Sequence, residues 1–408
     1  MTVSYRDILW KHWVLYFFST YCFHSLSRVI EFDPFLVERI FSLVLVIFVL
    51  FVSFFAMLKS NFQVSKKTVS VAVFILVMLI YSASIEKFGY APIFFLLYFG
   101  VIAFLLSPLT EWCAPKSKAI VYFTAFFYIT HFMAYLAGSD IFFQQGDRFV
   151  GLFSSPTTFA TWMVTLFAVS IGVGVGGFIR GGVGRSIHGF NFILLVFLVF
   201  ASGTRTNLAL VFFLGIYILL GGIGTRFLRF SVLASMVPAV LLVYPIYSIL
   251  TVYISGDFVA YRFEGEEDTS FGLRVSLFNA IFNDFLDSGL SDWLFGHGVE
   301  ASRELVKQIW SFDIFPHNDA LRMVYDFGIV FSFLFFALIA YIASRNHFSF
   351  MLGVVYIFSF IHNMVFSHYL ISAIFLSSMF SVQKFDLRWS SQKERVFYGK
   401  SLCREKPH

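Results

Sequence analysis

Three arginines and one histidine are the residues of this chain whose surroundings suggest chemistry. Arg148, Arg205 and Arg274 each lie in a short polar stretch beside long apolar runs, and His317 lies just before another apolar run. A guanidinium group carries a permanent positive charge. A neutral imidazole can take up a proton at working pH. Together these residue types indicate an anion-binding site beside a general base.

Arg205 is the most informative of these residues because it interrupts an otherwise apolar stretch. Residues 190–222 are apolar except for a break at 201–207, and each half is marginal in length for a full membrane span. A guanidinium group below the membrane surface is costly unless it faces a polar cavity or a partner. No acidic residue is near Arg205 in the sequence, which favours an anion site over a distant aspartate or lipid headgroups.

The other arginines have neighbours that offer a simpler explanation. An aspartate directly precedes Arg148, and Arg274 can form an ion pair within its own helix. Arg322 has Asp319 three residues before it and Asp326 four residues after it, so the three side chains share one helix face. Ion pairing is therefore favoured for Arg322, and it is at least as good an explanation as ligand binding for Arg148 and Arg274.

The sequence contains no motif for a metal or a cofactor. Cys22, Cys113 and Cys403 are far apart and fit neither a metal ligand set nor a disulfide framework. The acidic run between Glu264 and Asp268 lacks the ligand spacing of a calcium loop. We expect no metal and no cofactor.

The elements that must position these residues belong to a membrane protein. Of the 408 residues, 59% are hydrophobic and only 13% are charged, whereas an ordinary soluble domain has about 25% charged residues. Such a chain cannot hide its apolar surface from water, so lipid is its solvent. The Lys and Arg residues are scattered between apolar runs and form no continuous stripe, which excludes nucleic acid as a partner.

A membrane-spanning helix needs roughly 20 apolar residues, and this ruler predicts about twelve helices. Their limits are 12–30, 36–58, 68–85, 91–107, 118–137, 156–178, 189–203, 206–223, 230–254, 319–343, 347–363 and 367–383. With a cytoplasmic N-terminus, 19 of the 29 Lys and Arg residues fall in inner segments. This agrees with the positive-inside rule and places both termini in the cytoplasm.

The expected organisation is a bundle of about nine helices over 1–254, a long outer loop over 255–318, further spans over 319–383 and a basic cytoplasmic tail over 384–408. Within the loop, apolar residues recur at helical spacing and predict two amphipathic helices. These residues are Leu273, Leu277, Phe278, Ile281, Phe282 and Phe285 in the first helix, and Leu305, Val306, Ile309 and Trp310 in the second. Both helices are expected on the outer membrane surface, with their apolar faces down.

Several of these stretches resemble motifs of the O-antigen polymerase and O-antigen ligase superfamily (Wzy-type and WaaL-type proteins). The most specific is a His, then Asn, nine residues and Gly, formed here by His317, Asn318 and Gly328. Its last position is Phe331 where the family has a small or hydroxylated residue. Three weaker matches occur in the family's order, namely Arg148-Phe-Val-Gly-Leu-Phe-Ser-Ser-Pro-Thr, Gly203-Thr-Arg205, and Arg274 followed by Phe295-Gly-His-Gly298.

The resemblance implies a polytopic, all-helical glycosyltransferase of the lipid-linked (GT-C-like) class in the bacterial inner membrane. Its substrates would be a donor and an acceptor glycan on undecaprenyl diphosphate, presented at the periplasmic face, and a chain-length regulator is an implied partner. By this resemblance Arg205 and Arg274 bind the departing diphosphate, and His317 orients or deprotonates the acceptor hydroxyl. Arg148, Asn318 and Arg322 are further candidates for binding the diphosphate or the glycan.

We favour the polymerase, which joins lipid-linked repeat units. The alternative within the family is the ligase, which moves the glycan onto lipid A–core by the same donor chemistry. A flippase or other secondary transporter would predict internal repeats and charges near the bilayer midplane, which this sequence lacks. A peptidoglycan polymerase would need a catalytic acid in an outer loop, and the His317 pattern does not belong there.

Overall fold

The computed structural model describes residues 117–144, 148–153, 155–174, 182–219, 225–243, 269–298, 300–311, 318–345 and 347–361, together with 245, 246, 249 and 375. These residues form helices and one short ribbon. In chain order they are α1 (Ser117–Ala137), β1 (Phe143–Gln144), β2 (Arg148–Phe149), α2 (Pro156–Gly174), α3 (Gly182–Ala201), α4 (Arg205–Leu219), α5 (Arg226–Leu241), α6 (Thr269–Asp287), α7 (Leu290–Phe295), α8 (Ala301–Trp310), α9 (Asp319–Ala343) and α10 (His347–Phe358). Short 3₁₀ helices cover Asp140–Phe142 and Ser359–Ile361.

Helices α1 to α4 form one packed group. Helix α2 contacts α1, α3 and α4, and its Phe159 and Trp162 are almost completely buried. Tyr128 of α1 donates its hydroxyl to the Met163 carbonyl of α2 at 2.6 Å. A buried tyrosine hydroxyl needs such an acceptor, so this bond fixes how α1 lies on α2.

Helices α5, α9 and α10 form a second group, and α10 also packs against α2, which joins the two groups. Arg229 of α5 is buried and donates from Nε to the Ser344 carbonyl at 2.9 Å. The last carbonyls of a helix have no partner within the helix. Arg229 therefore caps the end of α9 and ties it to α5.

Two of the described helices are long and apolar enough to cross a membrane, over Ile120–Ala137 and Asp319–Ala343. Shorter apolar helices cover Pro156–Ile171, Ser186–Ala201, Arg205–Ile218 and Ser349–Ile361. The predicted spans 118–137 and 319–343 agree with α1 and α9 to within a residue. The described part of the chain is thus mostly helical with two candidate membrane spans, while the full count of twelve spans stays a prediction.

The remaining predicted spans divide into two sets. The ranges 156–178, 189–203, 206–223, 230–254 and 347–363 overlap α2, α3, α4, α5 and α10 in turn. The first four predicted spans lie outside the described residues, and only residue 375 of the last one is described.

The two predicted amphipathic helices are present as α6 and α8. Their apolar faces, however, pack against protein: Leu277, Phe278 and Ile281 of α6 and Val306 of α8 are almost completely buried. Helices α6 and α8 contact each other and α9. The expectation that these faces lie on the membrane surface is wrong for these residues, because α9 offers an apolar surface that removes them from solvent.

Candidate functional site

Arg148 reaches from the short ribbon to the turn between α3 and α4. Its Nε donates to the Ser202 carbonyl at 3.0 Å, and its Nη2 lies 3.5 Å from the Gly203 carbonyl oxygen. On β2 it pairs with Gln144 of β1. Residues more than 50 positions apart in the sequence are thereby brought together. We call Arg148, Ser202, Gly203 and Arg205 the arginine junction.

Gly203 is required at this junction by its backbone and by the space around it. Its φ is 64°, in the left-handed region that favours glycine. A Cβ atom at this position would lie 3.1 Å from Nε of Arg148. The turn therefore accepts the guanidinium group only because residue 203 has no side chain.

Arg205 is the first residue of α4 and is half-buried. The preceding turn is closed by the hydroxyls of Ser202 and Thr204, which are 2.8 Å apart. The polar break predicted from the sequence is thus present between α3 and α4. Arg148 binds the carbonyl of Gly203, which lies two residues before Arg205 in the chain. The Arg148 guanidinium group thus lies close to the N-terminus of α4, which adds positive partial charge.

Gly151 holds the same region against α1. Its φ is 56°, and a Cβ atom there would lie 3.0 Å from Nε2 of His131. His131 is buried, and its Nδ1 is 2.8 Å from the Phe127 carbonyl oxygen. The glycine that follows Arg148 by three residues therefore lets the loop close onto α1, and this positions Arg148.

Arg274 lies in α6 and is half-buried. Its Nε is buried and has no hydrogen-bond acceptor among the described residues. The next residue, Val275, packs into the core. The intrahelical ion pair considered for Arg274 is not formed by the residues that the structure describes.

A second junction forms where the loop after α7 meets a break in α9. Gly328 has φ 79° and ψ 170°, so it interrupts α9. A Cβ atom on Gly328 would overlap the Leu294 carbonyl, and one on Gly296 would overlap the Asp326 carbonyl and lie 2.6 Å from the Gly328 nitrogen. The two glycines therefore allow the two backbones to touch.

The break in α9 frees carbonyl groups, and the loop after α7 uses them. The His297 amide donates to the Tyr325 carbonyl and the Gly298 amide to the Asp326 carbonyl, each at 3.0 Å. We call Gly296, Gly298, Asp326 and Gly328 the glycine junction. The glycine of the His–Asn–Gly pattern thus has a structural role, which is to expose acceptors for the loop.

Asp326 also orders the start of α8. Its Oδ1 accepts the Ser302 amide at 2.9 Å and its Oδ2 accepts the Glu300 amide at 3.2 Å. These amides belong to the N-terminal turn, which lacks acceptors within the helix. The Asp326 carboxylate is therefore a helix cap supplied by another helix.

Arg322 forms the ion pairs that its spacing predicts. Its Nε is 3.5 Å from Oδ2 of Asp326, and its Nη1 is 4.0 Å from Oδ1 of Asp319. All three residues are buried. A role for Arg322 toward a substrate stays a prediction, and its described contacts hold the first turns of α9 to the glycine junction.

Asn318 is the N-cap of α9. Its Oδ1 accepts the Leu321 amide at 2.9 Å, and its Nδ2 donates to the Val240 carbonyl at 3.1 Å. The side chain is buried and joins α9 to α5, and its predicted contact with a substrate stays a prediction. His317, the residue before it, lies outside the described residues.

Sequence reasoning missed two features of this region. It found Asn318 but not its capping role, although an asparagine directly before a helix is the usual signal for an N-cap. It did not find Asp326 as the cap of α8, because Asp326 is 24 residues from Ser302, whose amide it accepts. No local signal connects the two residues. The only sequence signal for the positive φ at positions 296 and 328 is that both residues are glycine.

Residues 190–336 match the family model described as Wzy_C, O-antigen ligase. The match covers a little over a third of the chain and includes Arg205, Arg274, His317 and Gly328, but not Arg148. No curated protein and no solved structure matches the chain. The family match supports the O-antigen ligase and polymerase superfamily of membrane-associated glycosyltransferase-like enzymes, as the motifs predicted, and does not distinguish polymerase from ligase.

Proposed function

We propose that this chain is an inner-membrane polysaccharide polymerase that joins oligosaccharide repeat units carried on undecaprenyl diphosphate at the periplasmic face. In the reaction, an acceptor hydroxyl oxygen forms a bond to C1 of the donor's reducing-end sugar. The bond between C1 and the phosphate oxygen breaks, the lipid diphosphate leaves with the electron pair, and the hydroxyl proton passes to a base. The residues must therefore supply positive charge for the leaving group and a base for the acceptor.

The buried Nε of Arg274 is the observation that carries this proposal. A buried donor without an acceptor costs about 1–3 kcal/mol. That cost is offset when a ligand supplies the acceptor, and phosphate oxygens match the guanidinium fork in charge and geometry. Arg274 lies inside the region that matches the family model. We therefore assign it to the departing diphosphate.

The arginine junction supplies the second half of the anion site. Arg205 begins α4, where positive partial charge collects, and Arg148 donates to the carbonyls of Ser202 and Gly203, three and two residues before Arg205. Two guanidinium groups can neutralise two negative charges of a diphosphate, and they do so without a metal. Arg148 holds the same diphosphate or that of the second lipid-linked substrate.

His317 is the proposed base. The residue after it, Asn318, is held by bonds of its side chain to α9 and α5. General base catalysis of this kind contributes about 10²–10⁴ in rate. His317→Ala is expected to lower chain extension by this factor while the protein remains inserted in the membrane.

One observation favours each member of the family. The polymerase is favoured by Phe331, which occupies the position where the motif has a small or hydroxylated residue and which is buried against Phe327 and Phe335. The ligase is favoured by the description of the matching family model. The acceptor separates the two, because a ligase uses lipid A–core and a polymerase uses a second lipid-linked glycan.

Complementation separates these functions directly. The chain is expressed in a strain lacking the polymerase and in a strain lacking the ligase, and lipopolysaccharide is resolved on a gel. A polymerase restores long ladders to a background that carries a single repeat. Recovery of attached O-chains in the ligase-deficient strain alone would show the ligase instead. Recovery in neither strain, with the protein present in the membrane, contradicts both.

Arg274→Lys tests the site itself. Lysine keeps the charge but not the fork, so we expect chain extension to fall by about 10²–10³, as for the loss of one transition-state stabiliser. The matched control is Arg303→Lys on α8, where the guanidinium forms a partly exposed pair with Glu300 at 3.5 Å. Ladders of normal length from Arg274→Lys would contradict the assignment of the diphosphate site.

A further inference from the structure

A cleft of about 450 Å³ lies between α6, α7, α8 and the first turns of α9. Its lining includes Asp284 of α6, Asp292 of α7, Glu304 and Gln308 of α8, and Tyr325 of α9. The cleft shares no described residue with the arginine junction, and none of its described lining residues is Lys or Arg. Its character is therefore acidic and rich in hydrogen-bonding groups.

One wall of the cleft is rigid. The rings of His297 and Tyr325 stack at 4.1 Å with an angle of 7° between them. His297 Nε2 is 2.8 Å from the Ser288 hydroxyl, and the Tyr325 hydroxyl donates to Oδ2 of Asp284 at 2.6 Å. Because the glycine junction fixes the same segment, these groups are held in place before any ligand binds.

The side of the cleft formed by α8 and the end of α7 is exposed. Glu304 and Gln308 are four residues apart on α8, so they share one face of that helix, and both are exposed. Phe295, at the end of α7, is 47% exposed and adds an apolar surface. Asp292 forms no ion pair with the described residues. Carboxylate acceptors, the amide of Gln308 and the ring of Phe295 therefore line the same cavity.

The chemistry of this lining selects a class of ligand. Among the described lining residues, the three carboxylates of Asp284, Asp292 and Glu304 favour a ligand without negative charge over a diphosphate or an acidic sugar. A metal ion does not fit, since no three His, Cys, Asp or Glu side chains of the described residues come together in a way that holds one. A sugar without negative charge does fit, because its hydroxyls donate to carboxylates and its C–H face packs on an aromatic ring.

We infer that this cleft binds an uncharged, hydroxyl-rich sugar unit of the glycan substrate, apart from the diphosphate. The inference rests on the proposed function. Helix α6 connects the two sites, since Arg274 and Asp284 are ten residues apart and a helix rises 1.5 Å per residue, or about 15 Å in all. The diphosphate then lies toward one end of α6 and the sugar toward the other.

The test measures two ligands on the full chain in lipid nanodiscs by calorimetry. The probes are inorganic pyrophosphate and the free repeat-unit oligosaccharide released by mild acid from the host's own polysaccharide. The double variant Asp292→Ala/Gln308→Ala is compared with Asp287→Ala, which removes an exposed carboxylate from the end of α6 outside the cleft. The folded fraction of each is checked by size-exclusion chromatography.

We expect the double variant to weaken oligosaccharide binding by about tenfold or more, as for lost hydrogen bonds to charged groups, with pyrophosphate binding unchanged. Asp287→Ala should change neither. Arg274→Lys should give the opposite pattern, weaker pyrophosphate binding and normal oligosaccharide binding. Wild-type oligosaccharide affinity in the double variant, or no oligosaccharide binding by the wild type, overturns the inference. Unchanged pyrophosphate binding in Arg274→Lys counts against the proposed function and leaves the cleft result intact.

Discussion

The arginine junction and the glycine junction both join parts of the chain that are distant in sequence. A side chain makes the contact at the first, and backbone atoms make it at the second. At the first, the side chain of Arg148 reaches the carbonyl of Ser202. At the second, two backbones touch, and neither Gly296 nor Gly328 has room for a Cβ atom. One junction depends on a functional group and the other on the absence of any side chain.

The two junctions also differ in the groups that their arginines contact. The arginine of the glycine junction region, Arg322, lies between the carboxylates of Asp319 and Asp326. The hydrogen bonds described for Arg148 go to the carbonyl oxygens of Ser202 and Gly203. We expect substitutions to affect folding at the glycine junction, where backbones touch and the ion pairs are buried, and activity at the arginine junction.

Gly328→Ala should have the largest effect of all. The added Cβ overlaps the Leu294 carbonyl, and the backbone at φ 79° and ψ 170° is one that alanine rarely adopts. Neither the Leu294 carbonyl nor the backbone at residue 328 can move without opening the loop after α7. We expect a loss of more than about 4 kcal/mol in the free energy of unfolding, a large part of a typical total of 5–15 kcal/mol. The measurement is the yield of folded protein from membranes.

The matched control for this variant is Gly189→Ala. Gly189 lies within α3, and a Cβ atom there would have no atom within 4 Å. Alanine is the better helix former by about 1 kcal/mol, so yield should be equal or slightly higher. If Gly328→Ala is produced and folded like Gly189→Ala, the glycine junction does not depend on backbone contact.

Asp326→Asn should have the next largest effect. The amide keeps an acceptor for one of the α8 amides, but it removes the charge that pairs with the buried Arg322. Loss of one partner from a buried pair costs about 3–5 kcal/mol, and the pairing with Asp319 places this case at the lower end. The melting temperature of the purified protein should fall clearly. Asp287→Asn, at an exposed position, should leave it unchanged.

The rank of these effects matters for interpretation. A melting temperature for Asp326→Asn equal to that of Asp287→Asn would show that the Asp326 charge does not stabilise the buried Arg322 in solution. In that case Asp326 would be available for another role, and the distinction between a structural and a functional junction would no longer hold.

The helices and the polar break were predictable because their signals are local. Apolar length alone located α1 and α9 to within a residue, and the residues before Arg205 predicted the turn between α3 and α4. The buried faces of α6 and α8 followed from their periodicity. What covers these faces did not follow from the periodicity. Apolar residues at helical spacing show that one face of a helix will be covered, but not whether lipid or α9 covers it.

The junctions were not predictable because their partners are remote. Nothing in the sequence near Arg148 points to the Ser202 carbonyl, and the aspartate beside it, which makes an ion pair a simple expectation, lies outside the described residues. The same holds for Asp326 and the α8 amides. For Arg322, by contrast, both partners lie on its own helix, and the ion pairs follow from spacing alone.

Arg148 variants should have the smallest effect on folding and the most informative effect on rate. Arg148→Lys keeps the charge and loses the fork, whereas Arg148→Gln loses the charge as well. Each loses about 1–2 kcal/mol of hydrogen bonding at most, so both should be as abundant in membranes as the wild type.

If Arg148 acts on an anion, chain extension should fall about tenfold for lysine and about 10²–10³-fold for glutamine. If it acts only by bracing the turn before Arg205, both variants should lose rate equally and in step with melting temperature, because neither side chain reproduces two bonds to the carbonyls. An unequal loss at equal stability is therefore the result that makes the arginine junction part of the anion site.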